Sequence, residues 1–185
     1  MRGTEAARFL LEDPRHSCGN VVLTREVIQR RGVFREEFRY CPDEEAFLRY
    51  AAHGPIALDP RPLYLQRRHE QQVRFSTWRQ QDFVDVYVHS RLSGAENFGT
   101  EVLRSAYHST LRRLTSVAMT LALAGNRAEA RRMLDELAEN LPGARGSLRL
   151  WIARLAVTRA FWPLVIARRR LLEAHRRRRS SGAIL

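Results

Sequence analysis

Lysine is absent from this sequence, and cysteine is scarce. All 32 basic residues are arginines. Guanidinium groups suit bidentate contacts with phosphate, but a codon bias across a genome would give the same composition, so this absence identifies no partner by itself. The two cysteines, Cys18 and Cys41, are too few for a four-cysteine zinc site or a disulfide framework. They favour a reducing, cytoplasmic setting.

Long apolar runs are also lacking. The most apolar region, residues 150–167, is interrupted by Arg154, Arg159 and Pro163, whereas a membrane-spanning helix needs roughly 20 consecutive apolar residues. The first dozen residues include acids and no extended apolar core, which argues against a secretory signal peptide. Neither a membrane span nor a secretory signal is therefore predicted.

What is present suits a folded domain with a basic end. The 185 residues are 44% hydrophobic, enough for a packed core. The net charge of +12 is uneven, because residues 151–185 contain nine arginines and a single acid, Glu173. The positive surplus lies mainly in this C-terminal segment.

Hydrophobic periodicity divides the chain into a mixed part and a helical part. Over residues 1–75, helices are predicted between Thr24 and Gly32 and before Gly54, with short strands at 18–24, 56–58 and 63–68. The first part is therefore predicted as α/β, and the whole chain as α+β with a mainly helical C-terminal region.

From Ser76 onward the pattern is helical alone. One helix is predicted to end at Ser93-Gly94, and two more, joined at Gly125-Asn126, resemble a single tetratricopeptide-like hairpin. A repeat array needs about three units to bury its core, so this hairpin is predicted to be an appendage. The predicted segments are 1–75, 76–143 and 144–185, the last a basic amphipathic helix from about Ser147 to Arg179 and a tail.

The acidic stretch CPDEEAFLRY, residues 41–50, has two interpretations. Asp43, Glu44 and Glu45 stand in the first turn of a predicted helix, where the helix dipole favours negative charge. They can be a solvated helix start, or part of a catalytic site. Spacing alone leaves both interpretations open.

The region Ser17–Ser76 resembles the C-terminal half of the catalytic domain of family 2 glycosyltransferases, inverting enzymes of GT-A fold. The match consists of a short strand, an arginine-bearing helix, the segment GVFRE, an acidic helix ending in Leu48-Arg49, and a closing segment LYLQRRH. The order and spacing agree over about 60 residues. The resemblance implies a partial GT-A-like α/β segment.

The resemblance also implies site residues. Asp43 corresponds to the family's catalytic base, which takes a proton from the acceptor hydroxyl, and Glu45 to the second acid of that helix. Arg67 and Arg68 would contact the diphosphate of a nucleotide-sugar, and His69 would lie near a divalent metal, Mn²⁺ or Mg²⁺, in the complete enzyme. Without the family resemblance, His69 would be interpreted as an ordinary, partly exposed histidine.

The sequence departs from the family in ways that limit this prediction. Pro42 stands in place of a usual Glu, and Arg35 in place of a usual Asp. The nucleotide-binding half and its Asp-x-Asp motif are missing, so the isolated chain is expected to be inactive and to bind no metal. The complete enzyme would use a nucleotide-sugar and a glycan or lipid-linked acceptor. The alternative is a non-catalytic helical interaction module.

The arginine-rich C-terminal segment has three interpretations. It can be a solvated helix end, a surface for anionic lipid headgroups with Trp151, Phe161 and Trp162 at the interface, or a nucleic-acid site. Its aromatic and arginine residues are not interleaved, which disfavours nucleic acid. The predicted location is cytoplasmic, with the inner face of the membrane as an alternative.

Overall fold

The structure, a computed structural model, describes residues 1–12, 21–59, 61, 64 and 82–158. Within these ranges the chain forms α-helices and two short 3-10 turns. The helices are α1 (Gly3–Glu12), α2 (Arg25–Arg31), α3 (Pro42–Ala51), α4 (Phe83–Glu96), α5 (Thr100–Leu123), α6 (Arg127–Asn140) and α7 (Leu148–Val157), and the 3-10 turns are Glu36–Phe38 and Ala144–Gly146.

The predicted α+β fold, with a partial GT-A-like α/β segment, is wrong, because the described residues form helices and no sheet. The run Val21–Thr24 forms neither helix nor strand, no strand in the described ranges pairs with it, and Val22 is 98% exposed. A strand needs a hydrogen-bonded neighbour to be stable. Ile56 makes one reciprocal pair of backbone hydrogen bonds, both 2.9 Å, with Met1. The local β preference of these residues therefore leads to no strand pairing in the described ranges.

Several predicted helix ends are confirmed. Thr24 caps α2, its Oγ1 accepting a hydrogen bond from the backbone N–H of Val27 at 3.3 Å. Gly32 ends α2 with a φ of 72°, a conformation that favours glycine. Gly125 and Asn126 separate α5 from α6. Caps and glycines could be located from the sequence because their effects are local.

The predicted helix break at Ser93-Gly94 is wrong, since α4 continues to Glu96. A Cβ atom added at Gly94 would lie 2.8 Å from the Cβ and Cδ1 atoms of Leu48, whose side chain is buried. Gly94 therefore lets α4 approach α3 closely rather than ending the helix.

Gly94→Ala is expected to lower the free energy of unfolding by about 1–3 kcal/mol, because the added methyl group overpacks this contact. Urea unfolding followed by circular dichroism measures the effect. Gly54→Ala is the control, since a Cβ at Gly54 meets no heavy atom within 4 Å. Equal stability of the two variants would show that α3 and α4 separate at no cost.

The chain divides into two compact units, Met1–Arg113 and Leu114–Leu185, with the boundary inside α5. In the first unit, α3 packs mainly against α4 and α1. Its buried cluster includes Leu10, Leu11, Phe47, Leu48 and Val102. This packing fixes the position of the acidic end of α3.

In the second unit, α6 packs against α7 and the 3-10 turn between them. Met133, Leu134 and Leu137 of α6 and Leu150 of α7 are fully buried. The helix predicted from Ser147 to Arg179 is described only as α7, and its arginine-rich remainder lies outside the described residues. None of the helices in the described ranges is both long and apolar enough to cross a bilayer.

Candidate functional site

The candidate site is the first turn of α3. Pro42 occupies the first position of the helix, where its missing N–H costs no hydrogen bond, and Asp43, Glu44 and Glu45 follow it. Negative charge is favoured there by the helix dipole. The three carboxylates differ in exposure, however, because Asp43 is partly exposed whereas Glu44 and Glu45 are buried.

Glu44 is the acceptor in a buried ion-pair network. Its Oε2 accepts a short hydrogen bond from Nη1 of Arg91, and its Oε1 accepts one from Nη1 of Arg113 at 2.9 Å. The Tyr87 hydroxyl donates to the same Oε1 at 3.5 Å. Two guanidinium groups therefore share one carboxylate inside the first unit.

Arg91 has no exposed side-chain surface, and its guanidinium donors reach three other helices. Besides Glu44 of α3, it donates to the Ser109 and Thr110 hydroxyls of α5 at 2.8 and 3.0 Å, and to the Leu11 carbonyl of α1 at 2.7 Å. A buried charge is tolerated when its donors are satisfied in this way. Arg91 of α4 thus connects α1, α3 and α5.

The electrostatics of this network are set by burial and by Glu44. Burial raises the pKa of the Tyr87 hydroxyl, and the charge of Glu44 adds to that rise. Burial, the largest single effect, would lower the pKa of Arg91, but the charges and hydrogen bonds of Glu44 and Tyr87 together outweigh it, so the pKa of Arg91 lies above its ordinary value. Tyr87 stays neutral and Arg91 stays charged.

Glu45 belongs to a second buried network on another side of α3. Its carboxylate is 2% exposed and accepts hydrogen bonds from Nε and Nη2 of Arg49 at 2.8 and 3.2 Å. Nη1 of Arg35 lies 3.7 Å from Oε1 of Glu45. Arg49 also donates to the backbone carbonyls of Arg31 and Val33. This network holds the segment after α2 against α3.

Cys41 precedes α3 and is 5% exposed, with its Sγ 3.4 Å from the Ser90 Oγ. Burial raises the pKa of its thiol to about 12. A thiol that is protonated at neutral pH is a poor nucleophile. Cys41 is therefore a packing residue rather than a candidate nucleophile.

Native Cys41 is expected to resist alkylation by iodoacetamide at pH 8, because its thiolate fraction is negligible. The measurement uses a Cys18→Ser protein, in which Cys41 is the sole thiol, and mass spectrometry after timed labelling. The same protein in urea is the control and should label fully. Equal labelling rates with and without urea would contradict the burial of Cys41.

Residues beside this turn form a third, exposed group. Asp82, just before α4, accepts a hydrogen bond from the Tyr40 hydroxyl at 2.8 Å and another from Arg39. The hydrogen bond from Tyr40 and the charge of Arg39 hold the pKa of Asp82 below its ordinary value. Asp82 is therefore ionised near neutral pH. It precedes α4, whereas Arg39 and Tyr40 precede α3.

The structure describes only some of the predicted site residues. Asp43 and Glu45 both lie on α3, but Glu45 is enclosed by arginines while Asp43 is partly exposed. Arg67, Arg68 and His69 lie outside the described residues, so their predicted contacts with diphosphate and metal stay predictions. Among the residues that are described, no group of three or more His, Cys, Asp or Glu side chains is arranged to hold a metal ion.

Sequence reasoning missed Arg91 and Arg113 as partners of Glu44. One signal was available, since Arg91 stands four residues after Tyr87 and four before Ala95, both buried positions of α4. An arginine on the apolar stripe of a helix indicates a buried partner of opposite charge.

No known protein family, curated protein or solved structure matches this chain.

Proposed function

We propose that this chain is part of an inverting glycosyltransferase resembling family 2, and that Asp43 is its catalytic base. The observation that carries the proposal is the division of the three acids of α3. Glu44 and Glu45 are buried in ion pairs with arginines, whereas Asp43 is partly exposed at the same helix end. Two acids hold the helix in place, and the third is partly exposed to solvent.

This arrangement suits the chemistry of inversion. A single carboxylate must accept a proton from the acceptor hydroxyl while that oxygen attacks the anomeric carbon. The helix N-terminus favours the ionised form of Asp43, which is the form that accepts a proton, although the same dipole lowers its basicity. The ion-pair networks of Glu44 and Glu45 restrict the motion of α3. A rigid helix keeps the Asp43 carboxylate in a fixed position relative to a bound acceptor.

The proposal includes a donor-binding part outside the described structure. Helix α2 contributes no buried residue, although Val27 and Ile28 lie on it. Five large apolar side chains of this region are exposed in the structure: Val22, Val33, Phe34, Leu58 and Tyr64. Apolar surface of this kind is often covered by another domain or chain. We propose that the covering part binds the nucleotide-sugar.

The remaining roles follow from the family resemblance. Arg67 and Arg68 are proposed to bind the donor diphosphate, and His69 to lie at the divalent metal, which would neutralise charge on the departing nucleotide. The acceptor is a glycan or a lipid-linked sugar. The proposed location is the cytoplasm, at the inner face of the membrane.

The test compares the isolated chain with the native assembly purified through a tag on this chain. Nucleotide release from UDP-sugars and GDP-sugars is measured with Mn²⁺ and Mg²⁺. We expect release by the native assembly, and no saturable binding of UDP and Mn²⁺ by the isolated chain in calorimetry. Absence of release by the native assembly with any donor would overturn the proposal. Saturable binding by the isolated chain would overturn the separate donor part.

A second candidate is a non-catalytic helical interaction module. The observation in its favour is that Glu45, one of the two predicted catalytic acids, is 2% exposed and paired with Arg49. In that case Asp43 only stabilises the start of α3, where the helix dipole favours its negative charge. Replacement of Asp43 would then leave every activity of the native assembly unchanged, which separates the two candidates.

A further inference from the structure

Helix α7 presents apolar side chains on two opposite sides. One side is buried within the second unit through Leu150, Ala153 and Val157. The other side is the α7 outer face, which we define as Leu148, Trp151 and Ile152, with exposed fractions of 69%, 58% and 53%. A helix on a water-facing surface ordinarily has polar residues on its outer side.

The residues of the outer face form one continuous patch. Positions i, i+3 and i+4 lie side by side on an α-helix, so Leu148, Trp151 and Ile152 adjoin one another. Contiguous exposed apolar side chains mark a surface that binds a partner or a membrane.

The charge around the outer face selects its occupant. Arg145 and Arg149 flank it and are exposed. In the sequence, residues 151–185 contain nine arginines and one acid. Such a combination is attracted to anionic lipid headgroups, and tryptophan favours the membrane interface. A second copy of the chain is disfavoured, because each copy has a net charge of +12 and like charges repel.

We propose that the α7 outer face docks on an anionic bilayer surface, with α7 lying in the plane of the interface. Leu148, Trp151 and Ile152 would enter the boundary between headgroups and acyl chains, while the neighbouring arginines contact lipid phosphates. The buried side of α7 stays packed in the second unit. This surface contact is independent of the proposed enzymatic role.

The test is flotation of the full chain with vesicles of phosphatidylcholine and phosphatidylglycerol at three to one, against phosphatidylcholine alone. Binding is expected for the anionic vesicles and should weaken as salt is added. The triple variant Leu148→Gln, Trp151→Gln, Ile152→Gln should lose affinity at least about 30-fold, since three apolar side chains no longer enter the bilayer. Glutamine preserves helix propensity, and circular dichroism checks the fold.

The control is Val22→Gln, Val33→Gln, Leu58→Gln, which removes three exposed apolar side chains from the first unit and should bind as the wild type does. Equal binding by the outer-face variant, or no binding by the wild type, would overturn the proposal. A dimer in light scattering that the outer-face variant abolishes would also overturn it in favour of a second copy.

A single-tryptophan protein tests the contact directly. Of the three tryptophans, Trp78 and Trp162 are replaced by phenylalanine so that Trp151 alone reports. Lipids brominated near the headgroup end of the acyl chain should quench its fluorescence on anionic vesicles. Vesicle binding without quenching would contradict docking through α7.

Discussion

Replacing Arg91 with leucine is expected to lower the free energy of unfolding by about 3–5 kcal/mol, because it removes one partner of a buried ion pair. Of its two arginine partners, Glu44 would keep Arg113, whose side chain is 39% exposed. The Ser109 and Thr110 hydroxyls would lose their guanidinium partner, and the Leu11 carbonyl would lose its donor. The first unit should therefore unfold at much lower urea concentration.

The control for this prediction is the same substitution at an exposed ion pair. Arg8 pairs with Glu101, and their side chains are 45% and 67% exposed. Arg8→Leu should cost no more than about 1 kcal/mol, because water screens exposed pairs and solvates the remaining partner. Similar losses for Arg8→Leu and Arg91→Leu would contradict a structural role for the buried network.

A double-mutant cycle separates the pair from its surroundings. Glu44→Gln with Arg91→Leu removes both charges, and its cost should be less than the sum of the single losses. Additive losses would show that Arg91 stabilises the helices through Ser109, Thr110 and Leu11 rather than through Glu44.

Asp43→Asn is expected to reduce sugar transfer by the native assembly by about 10²–10⁴-fold, because asparagine cannot accept the acceptor proton. The measurement is transfer rate with the donor that supports nucleotide release. Glu37→Gln is the matched control, since Glu37 is 60% exposed in the neighbouring segment and has no role in the proposed site. It should retain the wild-type rate.

The rate and stability of the Asp43 variant must be compared, because loss of folding also lowers activity. Asp43→Asn should unfold close to the wild-type urea concentration while its transfer rate falls. A normal transfer rate in the folded variant would refute Asp43 as the base and favour the interaction module.

Helices could be predicted from this sequence wherever their signals were local. Thr24 and Gly32 bound α2 through capping and positive φ, and those effects need no distant partner. The strands could not be predicted reliably, because Val21–Thr24 shows a β preference that only a neighbouring strand would satisfy. Gly94 was misassigned for a related reason, since its role depends on Leu48 of another helix.

The candidate site was predictable only in part. The acidic first turn of α3 was identified, because acids favour helix starts. Which acids are buried depends on Arg91 and Arg113, which lie 47 and 69 residues from Glu44 along the chain. Contacts at such separations are set by tertiary packing, and sequence periodicity does not report which side chains meet.

The most direct measurement is urea unfolding of Asp43→Asn, Glu44→Gln and Glu45→Gln side by side. Glu44→Gln and Glu45→Gln should each lose about 2–4 kcal/mol, since each leaves a buried arginine without its carboxylate. Asp43→Asn should lose less than about 1 kcal/mol, because water screens the interactions of a partly exposed carboxylate. This pattern would show that two acids are structural and that Asp43 is available for function. Three equal losses, or the largest loss at Asp43, would contradict that division.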